Sequence, residues 1–205
     1  NRAPAKVQSA LLEAMQEKQI TIANETFKLD KPFIVLATQN PIEQDGTYPL
    51  PEAQQDRFLM KVKIEYPTKE EEKNILKLLT STTDFDSIEI EEVLNKDKIE
   101  ELKKLIKEIH IDEKLMDYIL DIIFKTRESN QYISCGASPR ASIALVVSAK
   151  ANAFLEGRDF VIPQDIKKVI FDVLRHRIIL TYEAEAEGKD VEDIITDIME
   201  GVELP

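Results

Sequence analysis

The stretch that decides the fold is PFIVLATQNPIEQDGTYPLPEAQQDRFLM, from Pro32 to Met60. Its first part, residues 33–37, is an unbroken apolar run that is rich in branched side chains and too short for a helix. Such a run predicts a strand that is buried on both faces of a parallel sheet. The run ends in TQNP (38–41). Because ligands of open α/β sheets lie beyond the carboxyl ends of the strands, the carboxamide of Asn40 is well placed to orient a water molecule or a phosphate oxygen.

Two residues of this stretch, Asn40 and Arg57, have a plain interpretation beside the functional one. Pro51 suits the first position of a helix, so a short helix with Arg57 near its end is predicted. An arginine near a helix C-terminus is favoured by the helix dipole alone, and Asn-Pro commonly opens a turn. Spacing alone favours these plain interpretations.

The order and length of the motifs carry a family resemblance. ATQNP (37–41), followed by GTYPLPEAQQDRF (46–58), resembles the MoxR family of AAA+ ATPases. The resemblance implies that Asn40 is the sensor-1 residue, which orients the attacking water, and that Arg57 is the arginine finger, which reaches into a neighbouring subunit's site. NRAP followed by QSALLEAMQE, at the start of the chain, resembles the segment that directly follows the Walker B acids. Those two acids would therefore precede Asn1.

A second motif, GASPRA (136–141), predicts the start of a helix. Ser138 is a good N-cap and Pro139 a good first residue, so Arg140 falls in the first turn. A cation there opposes the helix dipole at a cost of several tenths of a kcal/mol, so Arg140 has either a nearby carboxylate partner, a purely solvated position, or another role. GASPRA resembles the family's sensor-2 motif, which implies that Arg140 contacts the nucleotide phosphates of its own subunit. His176, between two arginines, is predicted to be solvated rather than catalytic.

A β-hairpin is predicted before the apolar run, because residues 19–22 and 26–29 alternate polar and apolar side chains around a short turn. In the family this resembles the hairpin that precedes sensor 1 and faces the pore of the ring. The resemblance implies that Asn24 and Glu25, at its tip, meet a client protein.

A domain boundary is predicted at Tyr66-Pro67, where a second strand-like segment, residues 59–65, ends. Residues 1–66 are then the C-terminal part of an AAA+ core domain, and residues 67–205 are a helical lid domain. The predicted fold class is an α/β remnant of a P-loop core, with parallel-sheet strands and a hairpin, followed by an all-α lid, so that the chain is mostly helical. The expected helix starts are a capping box at Thr68 and caps or first residues at Asp97, Asp112, Ser138, Pro163 and about Val191.

Composition bounds the class of protein. The chain has 205 residues, of which 43% are hydrophobic and 32% charged, which is typical of a soluble globular protein. No apolar run is long enough for a membrane span, and a single cysteine, Cys135, excludes an internal disulfide and fits a cytoplasmic location. The net charge is −12, and residues 67–205 carry 30 acidic against 19 basic side chains. This acidic part argues against nucleic acid or an anionic membrane as a direct partner.

The phosphate-binding loop of an ATPase is missing from the sequence. The motif G-x-x-x-x-G-K-[ST] needs two glycines five positions apart, and none of the glycines at 46, 136, 157, 188 and 201 form such a pair. The resemblance implies that ATP and Mg²⁺ are bound mainly by an upstream segment, and that this chain alone is inactive. It also implies a homo-oligomer, with a hexameric ring as the family expectation. Residues 1–66 are expected not to fold as a native core without that segment, which urea unfolding would test.

Three functions remain open from the sequence. The first is part of a MoxR-like ATP hydrolase that couples hydrolysis to the remodelling or activation of protein partners, as a chaperone does. The second is a truncated, ATPase-dead module that binds proteins through its acidic helical part. The third is a subunit like the magnesium-chelatase ATPase, although GTYPLPEAQQDRF favours MoxR over it.

Overall fold

The structure is a computed structural model that describes residues 14–15, 17–22, 24–39, 50–81, 91–128 and 130–205. Asn40 lies outside these residues, and so does most of the N-terminal segment that contains NRAP and QSALLEAMQE. The described part is mostly helical, as the sequence predicted, and it also contains two small antiparallel sheets.

The predicted hairpin is present. Strand β1, Gln19–Ile22, pairs antiparallel with β2, Glu25–Lys28, in a register that places Ile22 opposite Glu25. Asn24 therefore lies in the turn, whereas Glu25 opens the second strand. The hairpin projects much of its apolar surface into solvent, since Phe27 is 50% exposed.

The two predicted parallel strands do not form. Residues 33–39 and 60–68 have no regular secondary structure, and Leu36 and Ile64 are 91% and 90% exposed. A strand needs neighbours to satisfy its backbone N–H and C=O groups, and neither sheet of the described chain lies beside these segments. The prediction that residues 33–37 are buried on both faces is therefore wrong for the chain in this structure.

The helices follow the apolar periodicity closely, apart from two short ones. In chain order they are α1 Glu52–Gln55, α2 Lys69–Leu79, α3 Lys96–Glu108, α4 Glu113–Lys125, α5 Pro139–Leu155, α6 Pro163–Leu174, α7 Tyr182–Ala186 and α8 Val191–Glu200. Thr68, Asp112 and Ser138 cap their helices as predicted. The cap of α3 is Asn95 and not Asp97, because the chain turns into the helix two residues earlier and leaves Asp97 within the first turn.

The hydrophobic core lies among α4, α5, α6 and α8. Helix α5 contributes mainly small residues to it, and this lets α6 approach closely along its length. The buried small residues of α5 are Ala141, Ala144, Ser148, Ala149 and Ala153.

A short sheet that the sequence did not predict closes one end of this core. Strand β3, Ile133–Cys135, pairs antiparallel with β4, Ile179–Leu180. The pairing joins the loop before α5 to the segment that follows α6. As a result, the GASPRA motif and residues 175–177 are held at the same end of the molecule.

Candidate functional site

The GASPRA loop is fixed on the end of α4 by close backbone contacts. Gly136 is required there, because a Cβ at this position would lie 2.3 Å from the carbonyl oxygen of Thr126. The Thr126 hydroxyl accepts the N–H of Ala137 at 3.0 Å, and Arg127 Nε donates to the Ala137 carbonyl at 2.8 Å. The start of α5 therefore has a defined position relative to the helical core.

Arg140 lies in the first turn of α5, as predicted, and its side chain is 53% exposed. The position alone does not single it out, since Lys69, Lys98 and Lys114 also lie in first turns of helices. What distinguishes Arg140 is its partner, because Nη1 lies 3.2 Å from Oδ2 of Asp56. The structure thus brings Arg140 to the residue that precedes Arg57, across 84 positions of sequence.

Asp56 accepts hydrogen bonds on both of its carboxylate oxygens. Oδ2 accepts from the Ser138 hydroxyl at 2.8 Å and from Arg140, and Oδ1 accepts from Arg177 Nε at 3.0 Å. Burial by itself raises the pKa of Asp56, but the hydrogen bonds from Ser138 and Arg140 and the charge of Arg177 together bring that pKa below its ordinary value. Asp56 is therefore a charged junction between α1 and the start of α5.

Arg177 is the residue that sequence reasoning missed. Its side chain is only 2% exposed, and besides Asp56 Oδ1 it donates to the carbonyl oxygens of Asp56, Phe58, Leu59 and Val173. An arginine can satisfy several acceptors at once because its guanidinium carries five N–H donors in a fixed plane. The available sequence signal was the spacing of Arg177, which lies four positions after Val173, where the apolar stripe of α6 would continue and a purely solvated cation is less expected.

His176 is half-buried, so the prediction that it is solvated is wrong. Its Nε2 lies 3.1 Å from the carbonyl oxygen of Phe58. Burial first, and the charge of Arg177 second, lower the pKa of His176 to about 4. The imidazole is therefore neutral at pH 7 and can donate its Nε2–H to the Phe58 carbonyl.

Arg175 completes a cluster that we call the RHR cluster, residues 175–177. Its Nη1 donates to the Lys61 carbonyl and, at 2.7 Å, to Asp172 Oδ1, and its Nε donates to Glu192 Oε1 at 2.7 Å. The N–H of Lys61 in turn donates to the Asp172 carbonyl at 2.8 Å. The RHR cluster therefore fastens residues 56–61 to the C-terminal end of α6 through both backbone and side chains.

Arg57 lies just after α1 and is half-buried. Its Nε and Nη1 are shielded from solvent and have no hydrogen-bond partner among the residues that the structure describes. A buried donor without a partner costs about 1–3 kcal/mol. A carboxylate or phosphate oxygen brought to this side chain would recover that free energy, which makes Arg57 suited to an acceptor supplied from elsewhere.

The described ranges also bear on metal binding and on membrane crossing. No group of three or more His, Cys, Asp or Glu side chains there is arranged to hold a metal ion. Within the same ranges, no helix combines the length and the apolar character that a membrane crossing requires.

Comparisons with known proteins define the class to which this fold belongs. Residues 1–60 match the model of the ATPase family associated with various cellular activities (AAA), and residues 125–198 match the AAA lid domain. A crystal structure of a putative ATPase from Cytophaga hutchinsonii is 47% identical and superposes with a TM-score of 0.91, covering 100% of this chain and 64% of that one. The fold is thus that of part of an AAA-type ATPase with its lid.

Relatives narrow the class to one family. Chaperone MoxR1 of Mycobacterium tuberculosis is 44% identical over 100% of this chain and 55% of its own length. Protein MoxR of Methylorubrum extorquens is 30% identical over 100% of this chain and 64% of its own length. The chain belongs to the MoxR family of AAA+ ATPases, and it spans 55% to 64% of the length of these relatives.

Proposed function

We propose that this chain is the C-terminal part of a MoxR-like ATPase that couples ATP hydrolysis to the remodelling or activation of partner proteins. The observation that carries the proposal is that Arg140 contacts the carboxylate of Asp56, the residue that directly precedes Arg57. Arg140 is half-exposed at the N-terminus of α5, and Arg57 has buried N–H donors that lack a partner among the described residues. Both arrangements suit phosphate oxygens.

Phosphoryl transfer is catalysed mainly by positioning and by neutralising charge. In our proposal Arg140 binds the phosphates of its own subunit's nucleotide, where the dipole of α5 adds to its charge. Arg57 meets the phosphates of a neighbouring subunit, and Asn40 orients the attacking water. ATP supplies the transferred group, and Mg²⁺, bound mainly by an upstream segment, neutralises part of its charge.

The proposed roles also require an assembly and a protein partner. An arginine that acts on a neighbouring site needs a homo-oligomer, for which we propose a hexameric ring. Residues 1–66 would belong to the core domain and residues 67–205 to the lid, with the RHR cluster at their junction. The exposed turn of the hairpin at Asn24, together with Glu25, would meet a protein client.

To test this proposal, ATP binding and ATP turnover are measured on the protein expressed with its upstream coding sequence. Arg140→Ala should weaken ATP binding, because it removes a cation from the phosphates. Arg57→Ala should leave binding nearly intact and reduce turnover by about a thousandfold, the lower end of what an arginine supplied in trans contributes in GTPases.

Lys114→Ala is the matched control for Arg140→Ala. Lys114 is also the second residue of its helix, and its N–H also donates to the capping side chain, at 2.9 Å. Lys114→Ala should therefore leave both ATP binding and ATP turnover unchanged. Wild-type turnover with no loss in Arg57→Ala would remove Arg57 from the mechanism, and a wild-type protein that neither binds nor hydrolyses ATP would favour the protein-binding module instead.

A further inference from the structure

We propose that Asp56 is a positioning residue that competes with phosphate for Arg140 and so couples the nucleotide contact of Arg140 to the placement of Arg57. The inference rests on the proposed function, because it takes Arg140 as the phosphate contact. It adds a regulatory link between a subunit's own site and the arginine that the subunit offers to its neighbour. Three features of Asp56 carry it.

The first feature is that the partners of Asp56 are divided between its two oxygens. Oδ1 binds Arg177, whereas Oδ2 binds Ser138 and Arg140. Asp56 also precedes Arg57 directly in the chain. A change at Oδ2 therefore acts on the backbone next to Arg57 while Oδ1 remains held.

The second feature is that the two arginines differ in how firmly they are bound. Arg177 is 2% exposed and also donates to several carbonyl groups, so it is a fixed part of the junction. Arg140 is 53% exposed, and its contact of 3.2 Å is the longest of the three side-chain contacts that the Asp56 carboxylate makes. Asp56 itself is only 14% exposed, but its carboxylate still accepts from Ser138 and Arg177 after Arg140 leaves, so Arg140 is the partner that can be exchanged.

The third feature is that a phosphate and the Asp56 carboxylate present the same chemistry to Arg140. Both are anions that accept guanidinium N–H groups, and the start of α5 favours either of them. When Arg140 turns to a phosphate, Oδ2 keeps only the Ser138 hydroxyl. The segment of residues 56–59 is then held less firmly, and coupling between two binding events is reciprocal.

Asp56→Asn tests the competition in the protein expressed with its upstream sequence. The side chain keeps its size and can still accept a hydrogen bond from Arg177, but it no longer competes as an anion. We expect a labelled, non-hydrolysable ATP analogue to bind about three- to fivefold more tightly, as suits the loss of an ion pair that is half-exposed on its arginine side. Turnover of bound ATP should fall, because Arg57 is less well placed. A residue with a merely structural role would not raise nucleotide affinity when it is replaced.

Two further variants separate the possible outcomes. In an Arg140→Gln background, Asp56→Asn should give no gain in nucleotide affinity, because the guanidinium for which Asp56 and phosphate compete is absent. Asp172→Asn is the matched control, since Asp172 also pairs with an arginine of the RHR cluster but does not touch Arg140. If Arg140→Gln weakens binding and Asp56→Asn does not strengthen it, the coupling is overturned while the proposed function stands. If Arg140→Gln leaves binding unchanged, the proposed function itself fails.

Amide hydrogen exchange on the wild-type protein gives a second measurement that does not depend on how Asp56→Asn folds. The N–H of Phe58 donates to the Gln55 carbonyl at 3.0 Å and reports on the segment beside Arg57. A saturating ATP analogue should speed exchange at this amide in the wild-type protein and not in Arg140→Gln. Unchanged or slower exchange in the wild-type protein would overturn the coupling.

Discussion

Burial decides what each basic residue around Asp56 can do. Arg177 is almost fully buried and surrounded by acceptors, so moving it would leave several carbonyl groups and a carboxylate without their donor. Arg140 contacts the same carboxylate from a half-exposed position at 3.2 Å, and in our proposal it is the partner that exchanges. His176 lies beside them as a neutral imidazole on the Phe58 carbonyl. Two identical guanidinium groups thus have a fixed and an exchangeable role at one carboxylate.

The lowered pKa of His176 predicts a loss of stability in mild acid. Its pKa falls from 6.5 to about 4 on folding, so between these values the unfolded chain binds a proton that the folded chain does not. The stabilisation is complete above pH 6.5 and is lost as the pH falls towards 4. Lowering the pH from 7 to 5 should therefore reduce the free energy of unfolding by about 2 kcal/mol through His176. Urea unfolding at the two pH values measures this difference.

His176→Gln should remove that part of the pH dependence, because the amide can still donate to the Phe58 carbonyl but does not titrate. His110→Gln is the control, since His110 is the other of the two histidines in the sequence and is exposed. His110→Gln should lose as much free energy of unfolding between pH 7 and pH 5 as the wild type does. An equal loss between pH 7 and pH 5 in His176→Gln and wild type would contradict the assignment.

At the level of elements, a buried carboxylate fixes the turn between α5 and α6. Asp165 is 1% exposed and accepts from Arg158 Nη1 at 2.8 Å, from Asn152 Nδ2 at 2.7 Å and from the Ile162 N–H at 2.8 Å. Burial raises the pKa of Asp165, but these hydrogen bonds and the charge of Arg158 bring it below its ordinary value. Gly157 reverses the chain between the helices at φ +73°, a conformation that favours glycine.

Asp165→Ala should lower the free energy of unfolding by about 3 kcal/mol, at the low end of the range for breaking a buried ion pair. The low end is expected because Arg158 remains partly exposed and can turn to water. Asp159→Ala, in the same turn but exposed, should change the stability by less than about 0.5 kcal/mol. Thermal or urea unfolding of the two variants gives the comparison, and equal effects would show that the carboxylate network does not stabilise the turn.

Features that depend on neighbouring residues were predictable from the sequence, and those that depend on distant ones were not. The cap at Ser138 and the hairpin strands are set by local hydrogen bonding; the cap was found where expected, and the second hairpin strand begins one residue earlier than predicted, at Glu25. The strand at residues 33–37 needs sheet neighbours, so its apolar composition alone did not make it a strand. The junction at Asp56 joins residues 82 to 121 positions apart, and no periodicity or local motif reports such a contact.

At the scale of the whole molecule, stability is concentrated in the C-terminal half. Among the described residues, every buried hydrophobic side chain except Ala14 lies between Ile109 and Ile198. Helix α2 has a good capping box and an amphipathic sequence, yet all of its residues are exposed. Helices in proteins are stabilised mainly by packing of the apolar face rather than by propensity. We therefore expect α2 to open locally without unfolding the core.

Two matched leucines and hydrogen exchange test this division of stability. Leu145 is 0% exposed in α5 and Leu76 is 58% exposed in α2. Leu145→Ala should lower the free energy of unfolding by about 3 kcal/mol, whereas Leu76→Ala should change it by less than about 0.5 kcal/mol. In native-state hydrogen exchange, the exchange of the α5 and α6 amides should have the same urea dependence as global unfolding. The α2 amides should exchange by local opening that is insensitive to urea. Amides of α2 that share the global free energy of unfolding would show instead that α2 is part of the cooperative core.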